Sequence, residues 1–128
     1  MKTMNFIKTL LVITVVFFAN LNLSARSSEN NLIYNAEEVN GVKVSETVYK
    51  MDGSTLTQYM KYNYKYDANH QMTENLSQRW DSVDNRWINN LKICYTYDNK
   101  SITTEYYKWN PKKEVFVLVP EMTVSMDR

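Results

Sequence analysis

The chain is poor in the residues from which small proteins usually build chemistry. In 128 residues it has one cysteine, Cys94, and one histidine, His70. A single cysteine excludes an internal disulfide and leaves Cys94 as a buried thiol or as one half of an intermolecular bridge. No Cys-x-x-Cys or His-x-x-x-His spacing exists, so neither a metal nor a cofactor is expected. Nucleophilic hydrolysis needs a Ser or Cys within reach of a base, and the lone His70 falls in a predicted turn, where it reads as a solvated residue. A strong excess of one charge is also missing: 15 Lys and Arg face 14 Asp and Glu, interspersed throughout. That excludes the basic face of a nucleic-acid binder.

Long apolar runs are absent except at the start. Lys2 and Lys8 precede the uncharged run Thr9 to Ala19, and the small residues Ser24 and Ala25 follow. This is the order of a secretory signal, expected over residues 1 to 25 with cleavage after Ala25. The run of about 11 residues before Asn20 is short for a membrane span, which wants about 20, so no stable span is expected once the signal is removed. A lipoprotein signal needs a cysteine just after the cut, and Cys94 is far away. The expected address is therefore exported, periplasmic or extracellular, and not a lipoprotein. Cleavage leaves 13 basic and 14 acidic residues.

Aromatic residues are plentiful by contrast. The ten Tyr and three Trp all follow the signal region. Tyr64-Lys-Tyr66-Asp67 returns 31 residues later as Tyr95-Thr-Tyr97-Asp98, and Trp80-Asp81 corresponds to Trp109-Asn110. Each of those Trp residues has an aromatic seven positions on, Trp87 and Phe116 respectively. Two copies of a hairpin unit, differing in turn length, account for the pattern. Alternation with period two marks strands. The even positions Leu56, Met60, Tyr62, Tyr64 and Tyr66 read as one face, then Met72, Leu76 and Trp80, and after a change of parity Leu91, Ile93, Tyr95 and Tyr97. Asp52-Gly53 signals a hairpin, Pro111 lies in a turn, and Pro120 interrupts the last apolar strand.

The expected fold is all-β: an antiparallel up-and-down meander of about six strands, built from two hairpin repeats, near residues 41 to 51, 54 to 67, 71 to 80, 86 to 98, 101 to 109 and 114 to 125. One twisted sheet and a sheet curled over itself both suit the pattern. Residues 26 to 40 read as a flexible leader with a small docking point at Leu32-Ile33-Tyr34, and 41 to 128 as a single β-repeat domain.

The export signal, the Tyr-x-Tyr-Asp repeat and the Trp-Asp and Trp-Asn turns, carried by Tyr64, Tyr66, Asp67, Trp80, Asp81, Trp87, Tyr95, Tyr97, Asp98 and Trp109, resemble a family of small secreted Bacteroidetes proteins catalogued as a domain of unknown function. The resemblance covers residues 32 to 126. It implies an exported bacterial β protein and, because the family has no assigned activity, no functional residue. The Tyr-x-Tyr-Asp wording is also weakly similar to the YD repeats of large bacterial surface and toxin shells, but the glycine after the Asp turn is missing.

The candidate sites are surfaces. Trp80, Trp87 and Trp109 flank the longer turns and form a candidate ligand platform, since flat aromatic faces suit the axial C–H groups of a hexose. The other account of the aromatics is cross-strand pairing that covers the sheet. Asp81, Asp84 and Asn85 could offer oxygens to calcium, but they lack the EF-hand pattern, and Asx turn capping explains them equally. Glu74 and Glu105 could meet as a glycosidase pair only if the fold joins them. Asp81-Ser82-Val83 matches the O-glycosylation sequon that the resemblance implies, with Ser82 as acceptor. Val115 to Val119 is an edge that invites another strand. The function expected is a non-enzymatic exported interaction module with a protein or glycan partner, the alternative being a carbohydrate-binding protein using the Trp-flanked turns. The sequence leaves the oligomeric state open.

Overall fold

A computed structural model describes residues 31 to 128; the expected signal peptide lies outside the described residues. The described chain forms eight strands: β1 (Leu32–Val39), β2 (Val42–Asp52), β3 (Thr55–Tyr66), β4 (Met72–Asp81), β5 (Arg86–Tyr97), β6 (Ser101–Asn110), β7 (Val115–Leu118) and β8 (Val124–Asp127). They join one antiparallel sheet in the order β1 to β7, with β8 pairing the same edge of β6 that β7 occupies. The meander is as expected, but the strand count is eight rather than six.

The two additional strands have distinct causes. β1 lies in the segment read as a leader: it pairs with β2 from Leu32↔Lys50 to Val39↔Val42. The two-residue turn Asn40-Gly41, with φ of 52° and 76°, joins the two strands. Asn-Gly is a strong signal for such a turn, so β1 was legible in principle. At the other end, Pro120–Met122 forms a single 3₁₀ turn that divides the last strand into β7 and β8. Both halves keep running antiparallel to β6, because Val119 N donates to Tyr106 O at 2.8 Å before the chain bulges away.

β1 and β7/β8 form the two outer edges and do not pair, so the sheet is open rather than a barrel. No second layer packs on it among the described residues. Accordingly Val48, 3% exposed, is the one buried hydrophobic residue of the described chain, and no large side chain is fully buried.

Register decides which side chains share a face, because directly paired residues point to the same side. Rows across the sheet run Tyr34–Val48–Met60–Arg79–Ile88, Glu46–Tyr62–Ser77–Leu91–Lys108 and Tyr64–Asn75–Ile93–Tyr106, with Tyr95 paired to Thr104. These define a tyrosine face. The opposite face has Asn63–Leu76–Lys92–Tyr107–Leu118 and Lys65–Glu74–Cys94–Glu105, with Trp80 paired to Trp87 and Trp109 to Phe116.

Two sequence expectations are corrected by this register. A bulge in β3, where Val48 pairs Met60 but Tyr49 pairs Gln58, moves Leu56 off the face of Met60 and Tyr62. The apolar positions of β4, Leu76 and Trp80, point away from the tyrosines of β3 and β5; polar Asn75 and Ser77 lie among those tyrosines instead. In a single-layer sheet neither face must be purely polar, so alternation within one strand does not tell which side it presents. The bulges also add right-handed twist.

Ser77 (6% exposed) and Thr104 (8%) are the short side chains between these large neighbours, which explains their burial. Ser77 remains satisfied: its Oγ donates to Leu91 O at 3.3 Å and accepts from Asn90 Nδ2 at 3.4 Å. Asn75 Oδ1, in contrast, is buried with no partner.

Candidate functional site

The turns after β4 and β6 are built alike. Asp81 Oδ1 accepts from Val83 N and Asp84 N at 3.0 and 3.4 Å. Asn110 Oδ1 accepts from Lys112 N and Lys113 N at 3.0 and 3.1 Å. A short acceptor that satisfies the turn's own N–H groups fixes the loop without a ligand. Asp84 meanwhile pairs with Arg86 at 3.4 Å. Of the residues considered for calcium, Asp81 is therefore engaged by the turn's own N–H groups and Asp84 by Arg86, and no group of three or more His, Cys, Asp or Glu among the described residues is placed to hold a metal ion.

Just inside these turns stand the aromatics. Trp80 and Trp87 meet edge to face, with ring centroids 5.1 Å apart and planes at 67°. Trp109 and Phe116 do the same at 4.9 Å and 63°. All three indoles are half-buried and project from the same face of the sheet. This placement could not be read from the sequence, because the bulge at Asn90 in β5 sets the relative side of Trp87 and of the β6 residues. An amide ladder lies beside them: Asn63 Nδ2 donates to Gln78 Oε1 at 3.1 Å, and Gln78 Nε2 donates to Asn89 Oδ1 at 3.0 Å. Sequence reasoning missed this ladder, since its members lie on three strands. Lys92 Nζ completes the surface, 5.0 Å from the Tyr107 ring centroid and 4.8 Å from that of Phe116.

Glu74 and Glu105 are brought together on this face, flanking Cys94 in one row. They stand on an open surface, however. Glu74 is paired with Lys65 at 2.9 Å, and Glu105 Oε2 accepts from Tyr107 Oη at 3.3 Å. A proton-transfer pair needs a site that excludes water and separates the two pKa values, and an open face supplies neither. Cys94 is half-buried rather than buried, and its partial burial pushes the thiol up, away from the reactive thiolate. His70 is exposed in the β3–β4 turn with φ 60°, its N–H bonded to Asp67 O at 3.1 Å. Ser82 is exposed in the β4–β5 turn next to Val83, which is 87% exposed. A shallow groove of about 410 Å³ lies at the β6–β7 turn, lined by Lys108, Trp109, Asn110, Pro111, Lys112 and Val117. No helix among the described residues is long and apolar enough to cross a membrane.

The chain matches a family of unknown function, DUF3836, over residues 1–127. It belongs to that family. The family expectation drawn from the aromatic turns is thereby met at the level of an uncharacterised Bacteroidetes group. A DUF3836 protein from Bacteroides vulgatus ATCC 8482, a crystal structure at 2.50 Å, is similar at 70% identity and a TM-score of 0.74, covering 77% of this chain and 100% of that one. A DUF3836 protein from Parabacteroides distasonis ATCC 8503 is similar at 28% identity and a TM-score of 0.63, covering 76% and 88%. A protein with unknown function from Bacteroides fragilis NCTC 9343 is similar at 25% identity and a TM-score of 0.64, covering 70% and 67%. No curated protein matches the chain.

Proposed function

We propose that this DUF3836 chain is an exported, non-enzymatic interaction module, released into the periplasm or beyond after loss of residues 1 to about 25. It binds a cell-envelope or extracellular component through the face that bears the indoles. The observation that carries this reading is the gathering of Trp80, Trp87 and Trp109 with the Asn63–Gln78–Asn89 ladder on one open surface. Aromatic surface with fixed polar groups between is the composition of recognition surfaces. Catalysis is disfavoured because the carboxylates of that face, Glu74 and Glu105, are engaged by Lys65 and Tyr107 and open to water.

The same surface supports a second reading, that the component is a carbohydrate. Amides and indoles together match the alternating hydroxyl and C–H character of a sugar. The edge-to-face pairing argues for a shallow contact, since each ring already meets its neighbour.

We also infer that the sheet is a duplicated hairpin. Tyr66 Oη donates to Lys43 O at 2.7 Å, and Tyr97 Oη to Met72 O at 2.6 Å. Asp67 and Asp98 each accept from two turn N–H groups.

The test is acrylamide quenching of tryptophan emission before and after addition of host and bacterial polysaccharides or detergent-solubilised envelope protein. Protection by one glycan selects the carbohydrate reading, and protection by a protein fraction alone selects the general one. Emission indifferent to every addition, with Trp87→Ala indistinguishable from the parent in each binding assay, overturns the use of this face.

A further inference from the structure

We propose that the tyrosine face is the interface of a homodimer, in which two copies of the sheet pack face to face as a sandwich. The proposal concerns the face opposite the indoles and does not rest on the binding function assigned to them.

A sheet normally buries one face against a second layer, and this one has none among the described residues. Its tyrosine face carries Tyr62, Tyr64, Leu91, Ile93, Tyr95 and Tyr106 at its centre, none of them fully buried. No charged residue lies among those six. Glu46, beside Tyr62, is already neutralised by Lys43 at 2.9 Å, while Lys50 and Arg86 stand towards the margins, with Arg79 one row from Tyr62 between Met60 and Ile88 and Lys108 opposite Leu91 on β6. An aromatic centre without charge and a charged rim is the anatomy of a protein interface. The other face is the opposite case: Lys65, Glu74, Lys92 and Glu105 occupy its middle rows, and covering them would desolvate four charges.

Size and symmetry choose the occupant. Seven columns of strands at about 4.8 Å spacing span about 29 Å, and strands of ten to twelve residues run about 35 Å, giving a face of about 1,000 Å². A stable interface needs about 800 Å² from each partner, so one copy is sufficient to cover another. A two-fold axis lying between the sheets places each face on its equal, and aligned sheets pack about 10 Å apart.

The test is sedimentation equilibrium of the chain, expressed from its full coding sequence and purified in its processed form, from about 1 to about 100 µM, with thermal melts at the same concentrations. The expected mass is twice that of one chain, and the melting temperature rises with concentration. Ile93→Lys and Tyr95→Lys convert the dimer to monomer, whereas Thr96→Lys on the indole face leaves it intact. Should the lysine variants fail to fold, nitration of the parent decides: Tyr62, Tyr64, Tyr95 and Tyr106 are protected relative to Tyr49 and Tyr107, and the protection fades on dilution. A single-chain mass at the highest concentration, a dimer that survives both substitutions, or nitration at equal rates on both faces overturns the proposal.

Discussion

Tyr97 Oη donates to the main-chain carbonyl of Met72 at 2.6 Å, tying the last residue of β5 to the first of β4. Tyr66 makes the same bond to Lys43 O, near the start of β2. In each case the phenol reaches beyond the regular ladder, where a bulge has shifted the register. A half-buried ring with its hydroxyl on a backbone acceptor fastens the end of a hairpin that has no core beneath it. Tyr97→Phe keeps the ring and removes the bond, so a loss of about 1 kcal/mol is expected in urea unfolding. Tyr66→Phe is expected to cost a similar amount. If neither substitution moves the midpoint, the hydroxyls only decorate the strand ends.

The Trp80–Trp87 pair tests the packing of the indole face. Trp80→Ala is expected to cost about 2 kcal/mol, less than the ~3–5 kcal/mol of a core aromatic because the ring is only half-buried. A double-mutant cycle with Trp87→Ala is expected to return a coupling of about 0.5–1.5 kcal/mol. Additive losses would show that the two rings are adjacent without supporting each other.

Burial holds the phenols of Tyr62, Tyr64 and Tyr95 above their ordinary value of 10.0. Their folded pKa values exceed the unfolded one, so the folded chain retains protons that the unfolded chain gives up. The associated stability is complete below pH 10 and is lost as pH rises through the folded values. Lys43 acts in the same direction, because its hydrogen bond to Glu46 raises it above 10.5. Spectroscopic titration of phenolate absorbance is expected to show a late-ionising group of tyrosines, followed by unfolding. Replacing Tyr62, Tyr64 and Tyr95 together with Phe should shrink that late phase to the part due to Tyr107, whose phenol is also raised, and an undiminished phase would assign it to other tyrosines.

Ser82 offers a chemical prediction. It stands exposed in a turn that Asp81 caps, with Val83 projecting into solvent. Intact mass of the protein from its native host is expected to carry hexose-sized additions that disappear in Ser82→Ala. Unmodified protein, or additions indifferent to that substitution, would leave Ser82 as an ordinary turn serine.

The meander was legible because its signals are local. Tyr-x-Tyr-Asp ends one strand and caps the next turn within a few residues, and Asp52-Gly53 gives the φ of 59° that a tight turn requires. Asn40-Gly41 carries equal information about β1, but the polar segment before it reads as a leader. The eighth strand depended on how far Pro120 disturbs pairing, which the proline alone does not state. The candidate indoles were found individually, as residues flanking turns, whereas the Asn63–Gln78–Asn89 ladder was out of reach.

What the sequence determined by itself is therefore the all-β meander with its inner strands β2 to β6, the capped turns and the aromatic inventory, since periodicity and turn chemistry act over a few residues. What only the tertiary structure decided is which side each strand presents. A one-residue bulge reverses the alternation beyond it: the bulge of β3 parts Leu56 from the face of Tyr62, and the bulge of β5 sets Leu91 on one face and Trp87, with Trp80 and Trp109, on the other. Where those bulges fall depends on pairing between strands, so no single strand's sequence could announce the two faces.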